Sequence, residues 1–178
     1  MLEKIIIAGF GGQGIMVAGK LLLRAGMEKG LNATYIPSYG AEVRGGTAHC
    51  QVVLSRERIA SPHIVQPDCA LVLNPPSQAK FAARLTPGGY LIANSTLVHD
   101  PLERKDVHLI EVPAGDLATE LGSLRATNMV MLGAFLAVSD LLDLGDAVNV
   151  LPRAFPPRHL DLLEVNRRAL ERGYESIG

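Results

Sequence analysis

Four glycines near the start of the chain have the spacing of a phosphate-binding turn. Gly9, Gly11 and Gly14 fall at G-x-G-x-x-G spacing, and Gly12 adds a fourth residue without a Cβ atom. Between a strand and a helix, such a turn directs backbone N–H groups to the helix N-terminus, where an anion is favoured. The same glycines could instead only let the helix pack tightly on the sheet, or let a partner chain approach. The turn, which also contains Gln13, predicts one of these two roles.

The segments beside the glycine turn have the patterns of a buried strand and a helix. Residues 5–8 are apolar without polar alternation, as in a strand buried on both faces of a parallel sheet, and residues 15–27 predict a helix. A dinucleotide site also needs an acid at the end of the second strand, about 20 residues on. The second predicted strand, residues 32–37, ends without one, since the nearest acids are Glu28 and Glu42. An NAD-binding dehydrogenase is therefore disfavoured.

A second stretch suited to an anion follows that strand. It contains Ser38, Tyr39, Gly40, Glu42, Arg44, Gly45, Gly46 and Thr47. Loops at the carboxyl ends of parallel strands are where α/β folds place ligands. Arg44, followed by two glycines, suits a phosphate or carboxylate, because free backbone N–H groups can help to bind it. The alternative is an ordinary surface loop in which Arg44 pairs with Glu42.

Three asparagines are candidate binding residues, and two of them are predicted at the edge of the sheet where the glycine turn lies. Asn74 and Asn94 end the predicted strands 69–74 and 90–95, and we expect them to be polar groups at the rim of the glycine turn. Asn128 begins a nearly all-apolar helix, residues 128–142, for which Thr127 is the predicted N-cap. Such a helix must be buried in the core or dock onto a partner.

The remaining composition excludes several function classes. A net charge of −1 argues against nucleic-acid binding, and the sequence has no Walker A lysine, G-x-S-x-G motif or metal-spaced cluster. The five histidines are scattered, so no catalytic residue and no metal site are predicted. Two cysteines, Cys50 and Cys69, cannot hold an iron–sulfur cluster alone. We expect reduced thiols, no signal peptide, no membrane span and a cytoplasmic location.

The alternation of predicted strands and helices indicates one α/β domain over residues 1–178. We expect a three-layer Rossmann-like architecture with a mostly parallel sheet, in which residues 47–54 form an antiparallel strand. Residues 151–157, rich in proline, predict a hinge, so that 151–178 form a C-terminal helical extension.

Three of these segments together resemble a known family. The glycine turn looks like the G-x-G-G-Q-G opening of the gamma subunit of 2-oxoacid:ferredoxin oxidoreductases. Residues 37–48 are similar to that family's S-Y-G-x-E-x-R-G-G-T loop, in the form of its 2-oxoglutarate and 2-ketoisovalerate members, and residues 128–134 match its late helix start. The beta chain of indolepyruvate ferredoxin oxidoreductase is a weaker match, because its second loop keeps R-G-G without the S-Y-G-x-E lead.

The resemblance implies a heteromeric enzyme that decarboxylates a 2-oxoacid, forms an acyl-coenzyme A and reduces ferredoxin. It implies that thiamine diphosphate and the iron–sulfur clusters reside on alpha, beta and delta-type subunits, and that this chain holds neither. The chain itself would dock on those subunits, meet ferredoxin only through the complex, and contribute to coenzyme A binding. Its apolar helices also make a homodimer an expected state of the isolated chain.

Overall fold

The computed structural model describes residues 1–39, 46–155 and 160–178, and contains a six-stranded sheet in the order β2-β3-β1-β4-β5-β6. The strands are β1 (Leu2–Phe10), β2 (Asn32–Tyr39), β3 (Thr47–Ser55), β4 (Cys69–Val72), β5 (Tyr90–Asn94) and β6 (His108–Val112). β3 is antiparallel to both β1 and β2, whereas β1, β4, β5 and β6 pair in parallel. The prediction of a mostly parallel sheet with one antiparallel strand is confirmed.

Helices cover both faces of the sheet. They are α1 (Ile15–Glu28), α2 (Pro75–Phe81), α3 (Ala114–Glu120), α4 (Thr127–Leu136), α5 (Leu144–Ala154) and α6 (Leu160–Glu175), with short 3-10 turns at Ala82–Arg84 and Leu124–Ala126. One core contains side chains of α1, α3, α4, α5 and α6 with alternate residues of the central strands. The opposite face is covered by α2 and the 3-10 turn after it, with Phe81 fully buried. The three-layer α/β prediction is confirmed.

The apolar helix α4 is buried on every side, as its composition predicts. All ten of its residues are buried, and α6 crosses it at two glycines. A Cβ atom on Gly133 would collide with the backbone of Leu170, and one on Gly173 with the carbonyl of Val130. The two helix backbones are therefore in direct contact, which only glycine at these positions permits.

Two helix boundaries differ from prediction. α4 ends at Leu136 rather than at residue 142, because Ser139 turns the chain. The Ser139 hydroxyl accepts hydrogen bonds from the N–H groups of Leu141 and Leu142 at 3.2 and 3.1 Å. It also donates a hydrogen bond to the carboxylate of Glu3 at 2.8 Å. Its N-cap is Ala126, whereas Thr127 lies inside the helix and donates to the carbonyl oxygen of Leu124.

The predicted hinge begins inside a helix. Leu151–Ala154 form the last turn of α5, and Leu151 is buried in the core. Residues 156–159 lie outside the described part of the chain. The division at residue 151 into a domain and an extension stays a prediction. None of the helices described is long and apolar enough to cross a bilayer.

Candidate functional site

The glycine turn connects β1 to α1 and is held by the side chain of Gln13. Its amide oxygen accepts a hydrogen bond from the N–H of Phe10 at 2.6 Å, and its amide nitrogen donates to the carbonyl oxygen of Leu73 at 3.5 Å. A Cβ atom on Gly9 would lie 2.5 Å from the Gln13 amide oxygen and 3.1 Å from Leu73. Gly9 therefore permits close packing, and Gln13 shapes the turn; its role in binding a ligand stays a prediction.

The tip of the turn is open. Gly11 and Gly12 are exposed, and a Cβ atom on either would meet nothing within 4 Å. Within the described residues, no group accepts a hydrogen bond from their N–H groups, and no side chain caps the N-terminus of α1 at Gly14. This tip offers free donors at the positive end of a helix of 14 residues.

Asn128 ties the start of α4 to the start of α1. Its amide nitrogen donates to the carbonyl oxygen of Gly14 at 3.0 Å. Gly14 has φ 73°, and a Cβ atom there would collide with the Asn128 amide. Asn128 thus lies beside the glycine turn, and its role in binding a ligand stays a prediction.

The two strand-end asparagines are buried. Asn94 is 1% exposed; its amide nitrogen donates to the carbonyl oxygen of Leu73 at 3.5 Å, and its amide oxygen accepts from the N–H groups of Thr96 and Gly115 at 3.3 Å. Asn74 is fully buried and caps α2 by accepting from the N–H of Ser77 at 2.9 Å. Neither amide is exposed to solvent, because each side chain satisfies backbone groups where a strand ends, but Asn94 belongs to the lining of a cleft beside Gly12 and Gln13. Their role in binding a ligand stays a prediction. Of the two asparagines, only Asn94 shares a hydrogen-bond acceptor with Gln13, since both amide nitrogens donate to the carbonyl oxygen of Leu73.

The second loop begins one strand away from the glycine turn and ends beside it. Ser38 and Tyr39 end β2, and the partly exposed Gly46 precedes Thr47, which begins β3. Thr47 is paired with Phe10, so the loop returns next to the first residues of the turn. Gly40, Glu42, Arg44 and Gly45 lie outside the described residues, and their role stays a prediction.

A cleft of about 360 Å³ opens beside Gly12 and Gln13. Its other lining residues are Asn94, Thr96, Leu97, Gly115, Leu124, Arg125 and Thr127. Leu97 and Leu124 are 45% and 65% exposed. Arg125 takes part in none of the ion pairs found among the described residues. The cleft thus combines a cation, free backbone donors and exposed apolar side chains, which suits an anion that also has an apolar part.

Sequence reasoning missed Arg125, Leu97 and Leu124. The available signal was position: Leu97 follows the end of β5, and Leu124 and Arg125 immediately precede α4, so both segments lie at the carboxyl edge of the sheet. No motif marks them, and only the crossing of α4 over this edge brings them to the glycine turn.

Three titratable side chains of the strands, His49, Cys50 and Cys69, are wholly or partly buried. His49 lies on β3 with its ring 5.0 Å from that of Phe81. Burial lowers the pKa of His49, and the charges of Lys80 and Arg84 lower it further. Burial raises the pKa of Cys50 to about 12 and that of Cys69 well above its ordinary value. No group of three or more His, Cys, Asp or Glu side chains suited to a metal occurs among residues 1–39, 46–155 and 160–178.

Comparison with known proteins gives one consistent result. A profile of the family described as pyruvate ferredoxin/flavodoxin oxidoreductase matches residues 4–176. The chain is 36% identical to the ketoisovalerate oxidoreductase subunit VorA of Methanothermobacter thermautotrophicus over 97% of its length, but it spans only about a third (36%) of that relative. It is 33% identical to the 2-oxoglutarate synthase subunit KorC of Methanothermobacter marburgensis, covering 99% of this chain and 97% of the relative.

A solved structure has the same fold. It is the 2-oxoglutarate:ferredoxin oxidoreductase from Magnetococcus marinus with 2-oxoglutarate, coenzyme A and succinyl-CoA bound. The match has a TM-score of 0.90 and 25% identity, and it covers 99% of this chain and 31% of that one. The likeness thus extends over the whole of this chain and over part of a longer one.

Proposed function

Because the chain belongs to the pyruvate ferredoxin/flavodoxin oxidoreductase family, we propose that it is the gamma component of a heteromeric 2-oxoacid:ferredoxin oxidoreductase. The substrate that we favour is 2-oxoglutarate, which the names of KorC and of the Magnetococcus enzyme both give. The assembly would couple oxidative decarboxylation to acyl-coenzyme A formation and ferredoxin reduction. This chain would dock on alpha, beta and delta-type subunits and reach ferredoxin only through them.

One observation carries the proposal: the described part of the carboxyl edge offers groups that can bind an anion. The amides of Gln13, Asn94 and Asn128 are hydrogen-bonded to backbone groups, which leaves the N–H groups of the turn and the Arg125 guanidinium for a ligand. These groups can hold and orient an anion, but they supply no nucleophile or general base.

Coenzyme A fits this edge better than a small 2-oxoacid does. It carries a diphosphate and a further phosphate on a long arm with apolar segments, and the cleft places free N–H groups and Arg125 beside the exposed Leu97 and Leu124. Coenzyme A is bound in the Magnetococcus enzyme. We assign its anionic groups to the glycine turn, to Arg125 and to the second loop with Arg44.

The redox groups would be held elsewhere in the complex. An iron–sulfur cluster needs four ligands, usually thiolates, and this chain has two cysteines, both buried on separate strands. Iron–sulfur clusters and thiamine diphosphate therefore belong, in this proposal, to the partner subunits.

The alternative of a stand-alone NAD-dependent dehydrogenase is disfavoured by topology. β3 runs antiparallel between β1 and β2, so β2 does not pair with β1, as the second strand of a dinucleotide-binding unit would. β2 also ends at Tyr39 without an acid.

The test is to purify the tagged chain from its native cells without oxygen and to assay viologen reduction with coenzyme A. The panel of oxoacids includes 2-oxoglutarate, 2-ketoisovalerate, pyruvate and indolepyruvate. We expect further subunits to co-purify and 2-oxoglutarate to give the fastest reduction. A chain that purifies alone, shows no reduction and binds NADH would overturn the proposal, whereas fastest reduction with indolepyruvate would move it to that branch of the family.

A further inference from the structure

The two edges of the sheet differ in how they are protected. β6 has five residues and includes His108 and Glu111, whereas β2 has eight residues, no charged side chain and no buried residue. An exposed strand without charges is a ready template for another strand, and proteins normally protect such edges. Pro37 lacks an N–H group and cannot donate a hydrogen bond to another strand. Residues 32–36 are therefore the part of β2 on which an added strand could form its backbone hydrogen bonds.

An apolar groove of about 690 Å³ lies beside this edge. Tyr35 of β2, the outer face of α1 and the end of α5 line it. On α1, Val17 and Met27 are 42% and 61% exposed, so the helix presents apolar surface to the groove. A strand added to β2 would place every second side chain over this groove.

The rim of the groove is positively charged. Lys20 and Arg24 are exposed on α1, and no acid forms an ion pair with either in the described part of the chain. The third cation, Arg153, is neutralised by Glu28. A second copy of this chain would bring the same cations to the interface, whereas an acidic segment would complement them.

We propose that an extended, acidic and apolar segment of a partner subunit adds to β2 as a seventh strand. Its backbone pairs with residues 32–36, and the side chains on its α1 side place apolar groups over Val17 and Met27, with carboxylates between them near Lys20 and Arg24. The inference rests on the proposed function only in taking the occupant to be a subunit of the complex.

The probe is a peptide as long as β2, in which threonine occupies every second position. The positions between carry valine, glutamate, glutamate and valine in that order, so that one face matches Val17, Lys20, Arg24 and Met27 along α1. The control peptide has lysine in place of glutamate. Peptide affinity is measured on the isolated chain, and hydrogen exchange at residues 32–36 and 108–112 is followed with the peptide and in the native complex. The variant Arg24→Glu is compared with Arg168→Glu, the same change at an exposed residue of α6.

We expect the glutamate peptide to bind more tightly than the lysine peptide and to slow exchange in β2 but not in β6. Arg24→Glu should weaken its binding about threefold, the size of one exposed ion pair, and Arg168→Glu should not. Unchanged β2 exchange with the peptide and in the complex overturns the inference, as does equal binding of both peptides. Protection of β2 by self-association alone assigns the edge to a second copy instead. The peptide experiment does not need the assembly, so failure of the proposed function is seen separately.

Discussion

The amide nitrogen of Asn128 donates a hydrogen bond to the carbonyl oxygen of Gly14 over 3.0 Å, which joins the N-termini of two helices that are more than a hundred residues apart in sequence. Replacing Asn128 by alanine removes this bond, although the Gly14 carbonyl keeps the helical hydrogen bond that it accepts from the N–H of Ala18 at 3.1 Å. We expect a loss of about 0.5–1.5 kcal/mol in the free energy of unfolding, the net contribution of one hydrogen bond, measured by urea denaturation. Asn32→Ala, at an exposed residue of β2, is the control and should change the free energy of unfolding little.

Gly14 and Gly30 separate backbone strain from steric collision. Both have positive φ, at 73° and 83°, but a Cβ atom collides with Asn128 at Gly14 and meets nothing at Gly30. Gly30→Ala should cost about 1–2 kcal/mol, the cost of the left-handed conformation alone. Gly14→Ala should cost clearly more. Equal losses in the two variants would mean that Asn128 can move aside freely.

Arg125 tests the assignment of the cleft. In the assembled enzyme, Arg125→Ala should raise the apparent KM for coenzyme A about fivefold, as expected for losing one exposed charge-assisted contact, and leave the KM for the oxoacid unchanged. Arg168→Ala removes the same charge from α6 and should alter neither value. An unchanged KM for coenzyme A in both Arg125→Ala and Arg44→Ala would remove coenzyme A from this edge.

Glu3 makes stability depend on pH in the acid range. Burial raises the pKa of Glu3, although hydrogen bonds from Ser139 and Asp140 act to lower it. The folded state therefore binds a proton more tightly than the unfolded state does, and this contribution to stability is lost as the pH rises through the raised pKa. Glu3→Gln keeps the shape of the side chain and cannot ionise. The free energy of unfolding of the variant, compared with that of the unchanged chain, should therefore be more favourable at pH 7 than at pH 4. A larger loss at pH 7 than at pH 4 would contradict this.

The two cysteines should be unreactive in the folded protein. Burial raises the pKa of Cys50 to about 12 and raises that of Cys69 as well, so at pH 8 almost no thiolate is present. An aromatic disulfide reagent should label neither cysteine until urea is added, and then both. By linkage, stability should fall as the pH rises above about 8.5, the pKa of an exposed thiol. Rapid labelling of the folded chain would show that one of these strands opens.

Local patterns in the sequence were enough to predict the strands and the glycine turn. Residues 5–8 have no polar alternation because β1 is covered on both faces, and the alternation in 47–54 reflects a strand whose two faces differ in burial. The same local chemistry predicted α1 and the loop joining β2 to β3. Each of these features depends on side chains within a few residues of one another.

The tertiary structure alone decided where long-range partners meet. Asn74 and Asn94 have similar sequence contexts, yet one caps α2 and the other bonds to the Leu73 carbonyl, because each satisfies the buried backbone groups nearest to it. The end of α4 depends on Ser139 meeting Glu3 at the far end of the chain, and Arg125 reaches the cleft only because α4 crosses the sheet. Such contacts follow from packing between distant segments, which no local periodicity encodes.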